Sequence, residues 1–215
     1  MQGSAGFGKR FHDIITSEEE LRAVIGHPPE HSLAKAVCVI DDYCRRFIAH
    51  SPLVFVASAG AGGMVDVSPK GDVAGFVKVL DDRTLAIPDR PGNRRIDTFR
   101  NLLQNPNVGL IFIVPSVGYT LRVSGKAMIV RDLELRQSMA VQSKLPEHVL
   151  VVDVEHVLSH CPKCMIRSGL WEPGAWPDTT TMPSFAEMLR AHNQSTQSVE
   201  DIQGLIDKGN RERLY

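Results

Sequence analysis

The sequence predicts a mainly β fold, an antiparallel barrel of Greek-key type carrying added helices at both ends. Three observations predict it. Between residues 53 and 157, short segments rich in β-branched residues alternate apolar and polar side chains with a period of two. Gly, Pro, Asn and Asp turns separate most of them by only a few residues. Closing such a series on itself removes exposed sheet edges, so a closed barrel is the expected arrangement.

The elements follow in order. Thr16-Ser17-Glu18-Glu19-Glu20 carries a capping signature with acids in the first turn, and predicts a helix over 17–25 that Gly26 and Pro28-Pro29 end. Leu33, Val37, Ile40, Cys44, Phe47 and Ile48 recur at three- and four-residue steps and predict a second helix over 31–49. Strands are then predicted at 53–59, 64–68, 75–80, 84–88, 108–114, 119–130 and 149–157. Helices over 96–104 and 132–143 interrupt them, the first stopped by Asn105-Pro106. Beyond Pro183 two polar helices are expected, at 184–192 and 198–208. The chain reads as one domain: a helical extension over 1–50, a barrel over 51–157 and a helical and loop segment over 158–215.

Composition removes several functions. With 215 residues, 43% hydrophobic and 23% charged, the chain can bury a core of ordinary size. A net charge of −1 provides no global field for nucleic acid or an anionic membrane, so any anion must be held by a local cluster. No apolar run reaches the roughly 18–20 residues of a membrane span, and the Gly-rich start lacks the apolar stretch of a secretory signal. Four cysteines are too few for a disulfide scaffold, so a reduced, cytoplasmic setting is expected.

One local cluster stands out. Residues 87–100 carry four arginines against one aspartate between Arg90 and Arg100, where a strand turns through Pro91-Gly92 into a helix. Such a corner is either a solvated turn or a phosphate site, because a helix start offers free N–H groups and arginine grips phosphate with a planar fork. No Gly-rich loop ending in Lys-Ser or Lys-Thr is present, which argues against ATP, and no GxGxxG lies between a strand and a helix, which argues against a dinucleotide fold.

Several stretches, in order, make the sequence resemble the pyridoxamine 5′-phosphate oxidase family of FMN-binding split barrels. They are Val65-Asp66-Val67-Ser68-Pro69-Lys70-Gly71, then Asn93-Arg94-Arg95, then Asn101-Leu102 through Asn105-Pro106, then Thr120-Leu121-Arg122-Val123-Ser124-Gly125-Lys126-Ala127. The resemblance runs from about Pro52 to Val157. It is closer still to a subgroup of the same class, through Ser68-Pro69-Lys70-Gly71-Asp72, Ile87-Pro88-Asp89-Arg90-Pro91-Gly92-Asn93 and the tail residues His160-Cys161, Arg167-Ser168 and Leu170-Trp171.

The resemblance implies a homodimer with two FMN sites at its interface, and an FMN-dependent oxidoreductase acting on an unknown small molecule. It implies that Arg94 and Arg95 hold the phosphate with Lys70 helping, and that Asp66, Val67 and Ser68 run under the ring. Asp89, Asn93 and Thr98 fall in the same implied cofactor set. Thr120 and Arg122, with Arg167 and Trp171, would come from the other subunit. Two departures matter. The family's lysine after the first phosphate arginine is Arg95 here, which keeps the charge. The Arg-x-His ending of true vitamin B6 oxidases is absent, so oxidation of that substrate is not expected.

Rival readings remain open at this point: a flavin- or haem-binding protein without turnover, or a reductase using the deazaflavin F420. His156, His160, Cys161 and Cys164 also suggest a metal-binding module if they share a helical face, but a second ligand knuckle is missing and packing explains them better. Arg167 and Trp171, four residues apart, are expected on one helical face. Trp176 and its prolines read as an ordered loop. Eight histidines occur without a nucleophile elbow, so no Ser-His-Asp triad is expected.

Overall fold

Ala36 and Val37 are drawn into the sheet, so no helix runs through them. The structure is a computed structural model that describes residues 10–215. By internal contacts the chain forms two units, Met1–Lys35 and Ala36–Tyr215. The first holds α1 (Glu18–Ile25) and the single turn α2 (Glu30–Leu33). Ser17 caps α1 by accepting the Glu20 N–H at 3.1 Å, and Gly26 ends it at φ 73°, a left-handed value that glycine meets without strain.

The second unit holds β1 (Ala36–Val37), α3 (Asp42–His50), β2 (Leu53–Ala59), β3 (Val65–Gly71), β4 (Lys78–Val79) and β5 (Thr84–Pro88). It continues through α4 (Asp97–Leu102), β6 (Asn107–Ile113), β7 (Thr120–Val130), α5 (Leu133–Ser138), β8 (Val149–His160) and α6 (Lys163–Ser168). A tail hairpin of α7 (Phe185–His192) and α8 (Val199–Glu212) ends it.

The helix expected over 31–49 is therefore corrected. Ala36 and Val37 pair with Leu158 and Val157 on β8, which removes them from any helix. The helical stripe begins only after Asp41, whose carboxylate accepts the Cys44 N–H at 2.8 Å. Sheet pairing overrides the three-and-four periodicity, and Leu33, counted in that stripe, is 63% exposed. The strand expected at 75–80 shrinks to Lys78–Val79, and the helix over 132–143 to Leu133–Ser138. Gln142 and Ser143 adopt φ of 49° and 64°, outside helical geometry. β8 runs three residues further than expected, to His160.

The sheet is antiparallel, ordered β3-β2-β6-β7-β8-β5-β4, with β1 beside β8. Among the described residues β3 and β4 do not pair, so the barrel is split, not closed. At two residues, β4 is too short to carry a closing ladder. Leu85, Ile87, Leu110, Phe112, Val123, Leu150 and Val152 are almost fully buried and form the core. A bulge between Ser124 and Gly125 bends β7 against β8; a Cβ at Gly125 would overlap the Asp153 carbonyl, so only glycine fits.

β3 inverts the usual pattern of a one-sided sheet. Its polar residues Asp66, Ser68 and Lys70 are half-buried, whereas Val65, Val67 and Pro69 are exposed. The strand is an edge, and its apolar face looks outward.

Candidate functional site

The corner between β5 and α4 is held in an unusual backbone conformation. Arg94 and Ile96 have φ of 60° and 56°. A left-handed β-branched residue is a genuine outlier, and such strain persists only where surrounding contacts impose it. Those contacts are visible. Thr98 Oγ1 donates to Asp66 Oδ2 at 2.8 Å, Asn101 Nδ2 donates to Ser58 Oγ at 3.1 Å, and Gln104 Oε1 accepts the Ala61 N–H at 3.1 Å. They tie α4 to the β2–β3 hairpin, against which it packs. Asn93 Oδ1 accepts the Arg95 N–H at 3.0 Å and shapes the turn itself.

The corner cations have different fates. Arg90 Nε lies 2.6 Å from Asp72 Oδ2, with the Asp72 side chain wholly covered. Arg95 Nε lies 2.7 Å from Asp97 Oδ2, and that partner raises the Arg95 guanidinium above its ordinary value. Arg100 also reaches Asp97, at 3.6 Å. Lys70 Nζ sits 3.0 Å from Asp89 Oδ1 and 5.0 Å from the centre of the Phe99 ring. The other Asp89 oxygen faces His148 Nε2 at 3.4 Å, and His148 meets Phe99 edge to face. Arg94 alone among the four corner arginines makes no hydrogen bond or ion pair among the described residues, and it is exposed.

Arg94 lines a groove of about 1790 Å³ together with Asn93, Lys70, Ser68, Asp89 and Thr98. Arg95, Asp66 and Val67 are not on its wall. The groove exceeds the roughly 300–1,000 Å³ that a small-molecule site usually occupies. Its other wall is the tail, through Phe185, Leu189, Leu205 and Ile206 of α7 and α8. These helices are amphipathic, not simply polar as expected, and they bury Ala186 and Ile202.

The tail is latched to the corner. Tyr215 Oη donates to Asp72 Oδ1 at 2.7 Å, the Arg90 guanidinium lies 5.7 Å from the Tyr215 ring centre, and Lys144 Nζ donates to Tyr215 O at 2.7 Å. Burial pushes the Asp72 carboxyl up, but hydrogen bonds from Tyr215, the Val73 N–H and Arg90 outweigh it and hold it below the usual range. The bond to Asp72 in turn raises the Tyr215 phenol. Sequence reasoning missed this latch. A lone terminal tyrosine carries no signal; the three- and four-residue spacing of Ile202, Leu205 and Ile206 was the only available hint of a buried tail face.

A family model described as pyridoxamine 5′-phosphate oxidase matches residues 40–161. The chain belongs to the pyridoxamine 5′-phosphate oxidase family. No curated protein matches. Among solved structures, the chain is similar to HupZ of Group A Streptococcus, with 21% identity, a TM-score of 0.45, and 56% of this chain and 93% of that chain covered. It is also similar to an FMN-binding protein from Syntrophomonas wolfei subsp. wolfei, at 14% identity, TM-score 0.43, and 66% and 92% coverage. General Stress Protein 26 from Bacillus anthracis str. Sterne follows at 14% identity, TM-score 0.42, and 54% and 88% coverage.

The stretch matched to the oxidase family contains β2 through β8 and the arginine corner; Arg167, Trp171 and the tail hairpin lie outside it. Thr120 is buried at the start of β7 and Arg122 is exposed two residues on. Both are three strands from β3 along the path β3-β2-β6-β7, roughly 14 Å at the usual strand spacing. Within one chain they do not join the Arg94 groove.

Arg167 and Trp171 do not share a helical face. Gly169, at φ 58°, ends α6 between them. Arg167 is exposed, while Trp171 Nε1 donates to Val117 O at 3.0 Å and fastens the tail to the β6–β7 connection. Trp171→Phe is expected to lower stability by about 1 kcal/mol, the usual net worth of one hydrogen bond, as read from a urea midpoint. Trp176 Nε1 bonds Leu170 O at 3.1 Å within an ordered turn. His156 and His160 stand on strand β8, not on a helix, and among the described residues no three His, Cys, Asp or Glu side chains form a metal-binding group.

Proposed function

We propose that this protein is an FMN-dependent oxidoreductase whose cofactor phosphate is gripped at the arginine corner. One observation carries the reading: Arg94, at a strained backbone position, presents an unpaired guanidinium to the groove beside Asn93, Ser68 and Lys70. That donor set suits a dianionic phosphate, since arginine pairs bidentately with phosphate oxygens and the amide and hydroxyl supply further donors. Because α4 has only six residues, the side chains carry more of this reading than its dipole does. Bound FMN would supply the hydride and electron chemistry, as flavins do. The chain's own residues would bind and orient it, with Asp66 held by Thr98 to fix the strand beneath the ring.

Lys70 and Arg95 stand differently from Arg94. Each is already paired with a carboxylate, so each must exchange that partner before it contacts phosphate. Arg94 therefore is the principal phosphate residue of this reading and the other two are auxiliaries.

The reading includes a homodimer. The outward Val65 and Val67, 66% and 58% exposed on an edge strand, form an apolar face that a second copy would cover. Thr120 and Arg122, remote from Arg94 within the chain, would then reach the flavin of the second copy. Purified protein is expected to elute at twice its chain mass of 23.7 kDa and to take up FMN with quenching of flavin fluorescence. Reduction of the bound flavin by a nicotinamide cofactor, with transfer to an added acceptor, distinguishes an enzyme from a carrier. A colourless monomer indifferent to added FMN contradicts the proposal.

A further inference from the structure

Four cysteines divide into two kinds. Cys44 packs in the core, where burial pushes its thiol up to about 11, while Cys38, Cys161 and Cys164 are exposed and free. Cysteine is among the most buried residue types, so an exposed pair three residues apart is not accounted for by packing. Nor does a metal account for it, since no third ligand joins the pair among the described residues.

The backbone between the two is already bent for another chemistry. Pro162 has φ −76° and ψ −5°, and Lys163 begins α6, so two successive right-handed residues separate the cysteines. Two successive residues of helical geometry place the flanking Cα atoms about one helical turn apart, roughly 5–6 Å. A disulfide spans about 4.4–6.8 Å between Cα atoms. The turn is also seated firmly. It follows His160, which registers against Thr120, and a side chain at Gly118 would come within 3.2 Å of Pro162 Cβ. Trp171 bonds the neighbouring Val117 carbonyl.

We infer that Cys161 and Cys164 are a redox-active dithiol that closes to an intramolecular disulfide by exchange with a small disulfide of the glutathione type. The inference stands apart from the flavin reading and needs no bound cofactor. One cysteine thiolate attacks a sulfur of the small disulfide and expels a thiolate; the second cysteine then attacks the mixed disulfide and expels the other. Two electrons pass from the protein sulfurs to the small disulfide, and the two cysteine protons end on the two released thiols.

The test uses the full chain with Cys38→Ser, which leaves one exposed pair and the buried Cys44. The protein is incubated with oxidised glutathione, alkylated and digested with trypsin, which cuts after Lys163 and separates the two cysteines. The expected product is a mass loss of two hydrogens with the two peptides joined through Cys161 and Cys164, reversed by dithiothreitol. Adding Cys161→Ser or Cys164→Ser stops exchange halfway and leaves one retained glutathione. The inference is overturned if both thiols stay open to alkylation, or if the unsubstituted pair keeps two glutathiones without forming the ring.

Discussion

Asp72→Ala is expected to lower stability by about 3 kcal/mol, a fall in melting temperature of roughly 6–12 °C for a chain of this size. The reason is what the substitution leaves behind. Asp72 is wholly covered and Arg90 only 15% exposed, so removing the carboxylate strands a nearly buried guanidinium. It also frees the Tyr215 hydroxyl and unlatches the tail from the corner. Tyr215→Phe keeps the ion pair and is expected to cost less, while loosening α8, which hydrogen exchange over residues 199–212 would report. The effect depends on pH with a definite sign. The Asp72 carboxyl is held below its ordinary value of about 3.9, so the stabilisation is fully present above that pH and is lost as pH falls through the folded value. The gap between wild type and variant should therefore narrow below about pH 4. A gap that persists unchanged into acid would show that the carboxylate charge is not the source.

Arg94→Ala is expected to weaken FMN about 10- to 150-fold, the equivalent of losing one charge-assisted contact of about 1.5–3 kcal/mol. Arg95→Ala is expected to cost less, because its guanidinium is engaged by Asp97 at 2.7 Å and must be released first. Titration of FMN fluorescence against each variant orders the two. The difference also predicts a salt response: raising ionic strength should weaken FMN in the wild type more than in Arg94→Ala. Equal affinities in all three proteins would move the phosphate away from this corner and take the cofactor assignment with it.

Much of the barrel was legible because its causes are local. The strand at 84–88 was placed to the residue, as was 53–59, since alternation and turn residues bound them on both sides. The first helix was legible from Ser17 and Gly26, its two caps. The helix expected across 31–49 was misread because Ala36 and Val37 take their conformation from β8, more than a hundred residues away. Closure failed for a similar reason: alternation reports that a segment is a strand, and says nothing of whether its outer edge finds a partner.

The candidate site divides along the same line. Sequence alone determined the strand series, the concentration of arginine between residues 90 and 100, and the family resemblance, because composition, period and motif order are written along the chain. Only the tertiary structure decided which arginine is free. Arg90, Arg95 and Arg100 look alike in sequence, but each meets a carboxylate, and Arg90's comes from eighteen positions earlier in the chain. Charge pairing depends on distance through space, and salt screens it beyond about 10 Å. The unpaired guanidinium of Arg94, the covered Asp72 and the tail that forms one wall of the groove are consequences of packing that no local pattern encodes.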